Sequence, residues 1–139
     1  MLPFDIEIRA GASVHEQVVH AVERALVAGA LKAGDRFPSV RSLSKELRIN
    51  PNTAHKIVAT LVDAGVLEVR PGIGTLVAET TSHDNPRRRQ EVLGPRLEKL
   101  VVDASRVGIE LDELQGTLES TWHALVDKGA KKRKENGND

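Results

Sequence analysis

Cysteine is absent from this chain of 139 residues, which excludes disulfides and thiolate-held metal. Net charge is absent as well, since 20 Lys and Arg balance 20 Asp and Glu. No global field therefore announces a polyanionic partner, and the placement of the charges has to be read instead. No apolar run approaches the roughly 20 residues that cross a bilayer. Met1 is followed by Leu-Pro-Phe-Asp rather than by a basic segment and an apolar stretch, so a cytoplasmic chain without a signal peptide is expected. Catalytic patterns are missing too. His15, His20, His55, His83 and His123 fall on separate elements without metal-ligand spacing, and no G-x-S-x-G, P-loop or paired carboxylate occurs. No enzyme, cofactor or metal site is expected.

What is present is an uneven distribution of charge. Between Arg36 and Lys56 the cations Arg36, Arg41, Lys45, Arg48 and Lys56 stand against Glu46 alone. From Gln90 to Asp127 acid prevails, with Glu91, Glu98, Asp103, Glu110, Asp112, Glu113, Glu119 and Asp127 against Arg96, Lys99 and Arg106. A basic patch in one half and an acidic second half suit one anionic partner and one protein partner.

Phe4, Ile6 and Ile8 alternate with Asp5 and Glu7, a short strand pattern. Ser13 and Glu16 form a capping-box pair ahead of the stripe Val14, Val18, Val22 and Leu26, and Gly29 closes that helix. Ala33-Gly34-Asp35 is a turn, and Pro38 holds Phe37 extended. Ser39 caps a second helix with Val40, Leu43 and Leu47 inward. Asn50-Pro51 opens a third with Ala54, Ile57, Val58 and Leu61 inward, ending at Gly65. Leu67–Val69 and Thr75–Val77 flank Pro71-Gly72-Ile73-Gly74 as a hairpin.

The link between the second and third helices is only a few residues long, which sets them at the steep angle of a helix-turn-helix, with the hairpin as its wing. The third helix turns its apolar stripe inward and leaves Asn52, Thr53, His55 and Lys56 outward at its N-terminal end, the part of a recognition helix that reaches base edges. Asn pairs bidentately with adenine and Thr meets a base or a thymine methyl. His55 and Lys56 suit phosphates, and Arg70 just before the hairpin tip suits a phosphate or the minor groove. Arg41 faces the same side if the helices pack in this way. Taken one by one, Arg41, Lys45 and Arg48 also fit an ordinary solvated face, and capping accounts in full for Asn50 and Pro51.

The line P-S-V-R-S-L-S-K-E-L, then N-P-N-T, then the G-x-G-T hairpin, resembles the winged helix-turn-helix of GntR-family transcription regulators. The resemblance implies DNA contacts from the Arg of the P-S-x-R line, here Arg41, from the start of the third helix, here Asn50, Asn52, Thr53 and His55, and from the wing-tip Gly72. Two positions depart from the family pattern. Arg48 stands where the second helix usually ends in Gly, which makes that turn strained or turns Arg48 toward phosphates. His15 replaces a frequent aromatic.

Residues 79–90 carry almost no apolar side chain and read as a linker. Beyond them Leu93, Leu97, Leu100, Val101 and Ala104 form one helical stripe, and Leu111, Leu114, Leu118, Trp122 and Leu125 a second past Gly108. The expected fold is mainly α with a small β-wing: a winged helix-turn-helix over 1–78, a linker over 79–90, a two-helix hairpin over 91–128 and a disordered tail over 129–139. A lone helix pair exposing Leu93, Leu97, Leu100, Leu114, Leu118, Trp122 and Leu125 leaves a sizeable apolar patch. A twofold mate covers it and sets two recognition helices about one DNA turn apart, ~34 Å; packing back onto the chain's own winged helix is the alternative. Gly116 points to close approach of helices across such a dimer. Trp122 reads as core, with ligand stacking as its alternative.

The short C-terminal segment resembles that of the YtrA-type subfamily, whose C-terminal helices make a homodimer. That likeness implies a repressor acting on its own operon, commonly one with ABC-transporter genes. Sensing of an effector, which the sequence does not name, would have to use the helix pair, the dimer interface or the interdomain cleft. A winged helix that docks a protein without binding DNA is the competing reading; it requires an apolar or acidic outer face on the third helix.

Overall fold

The computed structural model describes residues 2–79 and 86–127, which fall into two compact units divided after residue 80. The tail expected over 129–139 lies outside the described residues.

In the first unit three helices are each opened by the cap that the sequence predicts. The Ser13 hydroxyl accepts the Glu16 N–H at 3.0 Å at the head of α1, Val14–Val27. Ser39 Oγ accepts the Ser42 N–H at 3.1 Å ahead of α2, Val40–Leu47. Asn50 Oδ1 accepts the Asn52 N–H at 2.8 Å ahead of α3, Pro51–Asp63. Each cap satisfies an amide that the helix itself cannot, typically for ~1 kcal/mol. Gly29 takes φ +79° just past α1, the left-handed exit that glycine adopts without a Cβ penalty.

The turn between α2 and α3 is built differently. Arg48 takes φ 55° and ψ 48°, and among the described residues it is the one non-glycine with a positive φ. That conformation costs roughly 1–2 kcal/mol for an L-residue with a side chain. Ser44 enforces it: its carbonyl accepts the N–H of Arg48 and, at 3.1 Å, that of Ile49, while its hydroxyl donates to the Ile49 carbonyl at 2.7 Å. Ile49 in turn packs against the core.

Val18 and Val22 from α1, Leu43 from α2 and Ala54, Ile57 and Leu61 from α3 have no solvent exposure and meet Leu31, Phe37, Leu67 and Val77 in one cluster. Full burial of such a side chain is worth ~1.5–3 kcal/mol, so this cluster sets the angle between the helices. A polar tie adds to it, with His15 Nε2 lying 2.8 Å from Thr60 Oγ1 between α1 and α3.

Residues 4–8 are not a strand, contrary to their alternating pattern. They lie along the first unit with Phe4 buried and its ring stacked on that of Phe37, centroids 6.0 Å apart. Gln17 pins the segment by accepting the Arg9 N–H and donating to the Arg9 and Ala12 carbonyls. Alternation places side chains on two faces and provides no partner strand; here the burial of Phe4 decides the path.

The wing is an antiparallel pair, β1 Leu67–Arg70 and β2 Gly74–Val77, registered from Leu67 opposite Val77 to Arg70 opposite Gly74. Its second edge is occupied as well. The Phe37 N–H donates to the Thr75 carbonyl at 2.9 Å, the Val77 N–H to Asp35 at 2.8 Å and the Gly34 N–H to Val77 at 2.8 Å. The stretch read as turn and extended chain at 33–37 thus flanks β2, so the loop that leads into α2 is also part of the wing.

In the second unit α4 spans Pro86–Arg106 and α5 spans Leu111–Trp122, followed by a π-helical turn, His123–Asp127, that carries Leu125. α4 therefore begins inside the stretch read as a linker. Pro86 suits a first helical position, and the polar residues behind it are good helix formers whose lack of apolar pattern hides an exposed helix. Pro95 sits within α4 and removes one of its backbone donors. The turn that joins α4 to α5 closes with the Ile109 N–H on the Ala104 carbonyl at 2.9 Å, and among the described residues the two helices do not pack along their lengths. Ala104 is buried there and Ile109 and Leu114 half-buried, while Leu93, Leu97, Leu100, Val101, Leu111, Leu118 and Trp122 stay exposed.

Candidate nucleic-acid interface

The buried stripe of α3, formed by Ala54, Ile57, Val58 and Leu61, fixes which side of the helix faces outward. Asn52, His55 and Lys56 are exposed on that outer side and Thr53 is half-buried. The outer surface of the helix start is therefore polar and basic, with no acidic residue in its first turn.

Asn50 has a narrower chemistry than the sequence implies. Its side-chain oxygen is committed to the Asn52 N–H, which leaves only the amide NH2 to donate. It fits a phosphate oxygen and not a bidentate adenine pair, which needs donor and acceptor together.

Arg41 is exposed in the first turn of α2, and Lys45 is exposed one turn further along. The wing tip, Pro71-Gly72-Ile73, closes with the Ile73 N–H donating to the Arg70 carbonyl at 3.0 Å. Gly72 is exposed with φ +80°, and a Cβ added to it would meet no neighbour within the chain. Its bare backbone thus leaves the tip open to a close approach.

Arg70 does not stand alone as a cation. It pairs with Glu68, two residues back on the same face of β1, with Nη2 at 2.8 Å and Nε at 3.0 Å from one carboxylate oxygen. The pair is largely exposed, so it is worth little and leaves the guanidinium accessible, but the carboxylate weakens the local positive potential.

The caps and stripes account for Asn52, Thr53, His55, Lys56 and Arg41 from sequence. The tie from His15 to Thr60 and the Ser44 clasp, which orient α3, carry no sequence pattern and appear only in the fold. Among the described residues no group of His, Asp and Glu is arranged to hold a metal ion, and no helix is long and apolar enough to cross a membrane.

Residues 14–77, which run from the start of α1 to the end of the wing, match the model of the bacterial regulatory proteins of the gntR family. Over 109 residues the chain is 30% identical to the HTH-type transcriptional repressor YtrA of Bacillus subtilis, covering 78% of this chain and 84% of the relative. The chain belongs to the GntR family.

GntR proteins are DNA-binding transcription regulators, and regulation rather than catalysis is the activity of this chain. Its fold is shared by solved structures of low sequence identity. A transcriptional antiterminator from Listeria monocytogenes EGD-e superposes with a TM-score of 0.77 at 22% identity, covering 88% of this chain and 92% of that one. A GntR-family transcriptional regulator from Listeria monocytogenes gives 0.61 at 22% identity, covering 81% and 98%. The YtrA relation spans most of both chains, so the likeness extends beyond the winged helix into the second unit.

Proposed function

We propose that the chain is a repressor that binds an inverted-repeat operator as a homodimer, with α3 in the major groove and α4–α5 as the dimerisation segment. The polar, basic start of α3 above a fully buried stripe carries the DNA half of this reading. Asn52 and Thr53 read bases there, while Arg41, Asn50, His55, Lys56 and Arg70 meet phosphates and Gly72 lets the wing approach the duplex. The dimer half rests on the apolar side chains of α4 and α5, which their own chain leaves uncovered. Burying them against a twofold mate also links two α3 helices, which raises the affinity for a repeated site over that of one winged helix.

Repression is inferred from the Bacillus relative, a transcriptional repressor, and control of the chain's own operon with an ABC transporter from the subfamily likeness. An outer α3 face that is polar and basic offers little to a protein-docking role.

The test is fluorescence anisotropy on duplex from the chain's own upstream region, against scrambled duplex, at two salt concentrations. Tight, salt-sensitive binding to an inverted repeat at two chains per site is expected. Binding at one chain per site would remove the dimer, and equal weak binding to both duplexes would remove this operator.

A further inference from the structure

We infer that Arg48 grips a DNA phosphate and completes a cationic rail with Arg41 and Lys45, an assignment that rests on the DNA-binding reading above. The starting observation is the turn itself. A left-handed residue is needed there, because the Ser44 carbonyl takes both the Arg48 and the Ile49 N–H and the Ser44 hydroxyl holds the Ile49 carbonyl. Glycine meets that need without strain and arginine does not. Every other residue with positive φ among those described is glycine. The strained side chain gains nothing inside the protein: Arg48 is exposed, and its guanidinium has no hydrogen bond or ion pair with any described residue.

The surroundings point to an anion. Arg41 and Lys45 stand four residues apart, one turn along the same side of α2, and Arg48 follows at the C-cap of that helix. All three are exposed, and none of them forms an ion pair with a described carboxylate. In the free protein such a row repels itself. Along a phosphate backbone each member releases a counterion, and the planar fork of Arg48 matches phosphate oxygens bidentately. Arg48 also stands two residues ahead of the Asn50 cap, so the rail leads directly to the start of α3. A residue that costs stability and has no partner in its own fold is explained by a partner outside it.

The experiment compares wild type with Arg48→Gly, Arg48→Ala and Arg48→Lys on a short random-sequence duplex, because a phosphate contact does not depend on base sequence. Arg48→Gly is expected to raise Tm by a few degrees while making the slope of log K against log salt shallower by about 0.9 per bound chain. At about 0.1 M salt that slope corresponds to roughly eightfold weaker binding. Arg48→Ala, which keeps the strain and loses the charge, should weaken binding as much without the gain in Tm. Arg48→Lys should keep most of the slope.

An Arg48→Gly protein with unchanged affinity and slope overturns the assignment, as does Arg48→Lys falling as far as Arg48→Ala. An Arg48→Gly protein with no rise in Tm removes the strain on which the inference stands. Wild type with no salt-sensitive DNA binding would sink the DNA reading itself and this assignment with it, a result distinct from a change confined to the variants.

Discussion

The two units of this chain spend their apolar residues in opposite ways. In residues 2–79 the valines, leucines and isoleucines of three helices converge on one core, and the exposed large apolar side chains are few. In residues 86–127 Ala104 alone is buried among the described residues, and Leu93, Leu97, Leu100, Val101, Leu118 and Trp122 lie open. The first unit holds what it needs to fold by itself and presents a polar face. The second has the apolar stripes of a core and lacks the partner that would make one. On the proposed function, recognition belongs to the first and assembly to the second.

The comparison breaks most sharply at the first core. Ile57→Ala should cost ~2–5 kcal/mol in urea unfolding and abolish DNA binding, since Ile57 anchors the helix that carries Asn52 and Thr53. A loss under ~1 kcal/mol would mean that α3 is not held by this core. The matching change in the second unit, Leu97→Glu with Leu118→Glu, should leave unfolding of the first unit within ~0.5 kcal/mol. It should convert two chains to one in sedimentation and lower operator affinity by ~10²-fold. Sedimentation of the double variant as a dimer would place the interface elsewhere.

Within the recognition surface the effects are smaller and specific. Asn52→Ala or Thr53→Ala should relax preference by ~1–3 kcal/mol at one base pair per half-site, read by competition with single-base operator variants. A uniform loss across all sequences would recast these residues as phosphate contacts. The finest contrast is Gly116, where an added Cβ meets nothing within its own chain. Helix propensity alone predicts that Gly116→Ala stabilises by ~1 kcal/mol. If the helices of two chains approach closely at this point, the dimer instead weakens, as titration by sedimentation will show.

Where structure was legible in the sequence, a single residue carried both a local and a global signal. Ser13, Ser39 and Asn50 each precede an apolar stripe, so cap and core agree, and α1, α2 and α3 fall where they predict. Arg48 was legible as a departure, standing in a place suited to glycine. The failures have a common physical cause, which is that pattern reports faces and not partners. Phe4, Ile6 and Ile8 alternate without a strand to pair with, whereas 34–37 pair with β2 although Gly34 marks only a turn and Pro38 only an extended Phe37. The start of α4 escaped because a solvated helix and a linker have the same polar composition. Arg70 was read by its charge alone, and the pleat that brings Glu68 beside it is a property of the strand.

The pairing of 34–37 with β2 has a mechanical consequence. One backbone segment hydrogen-bonds to the wing and continues, through Pro38 and Ser39, into the turn of α2 that bears Arg41. In the docking proposed above, the wing and the start of α2 therefore meet the duplex tied together by this segment. On that docking, part of the adjustment to groove width falls to the DNA, and sequences that narrow or bend at low cost are expected to be favoured even at base pairs that no side chain touches.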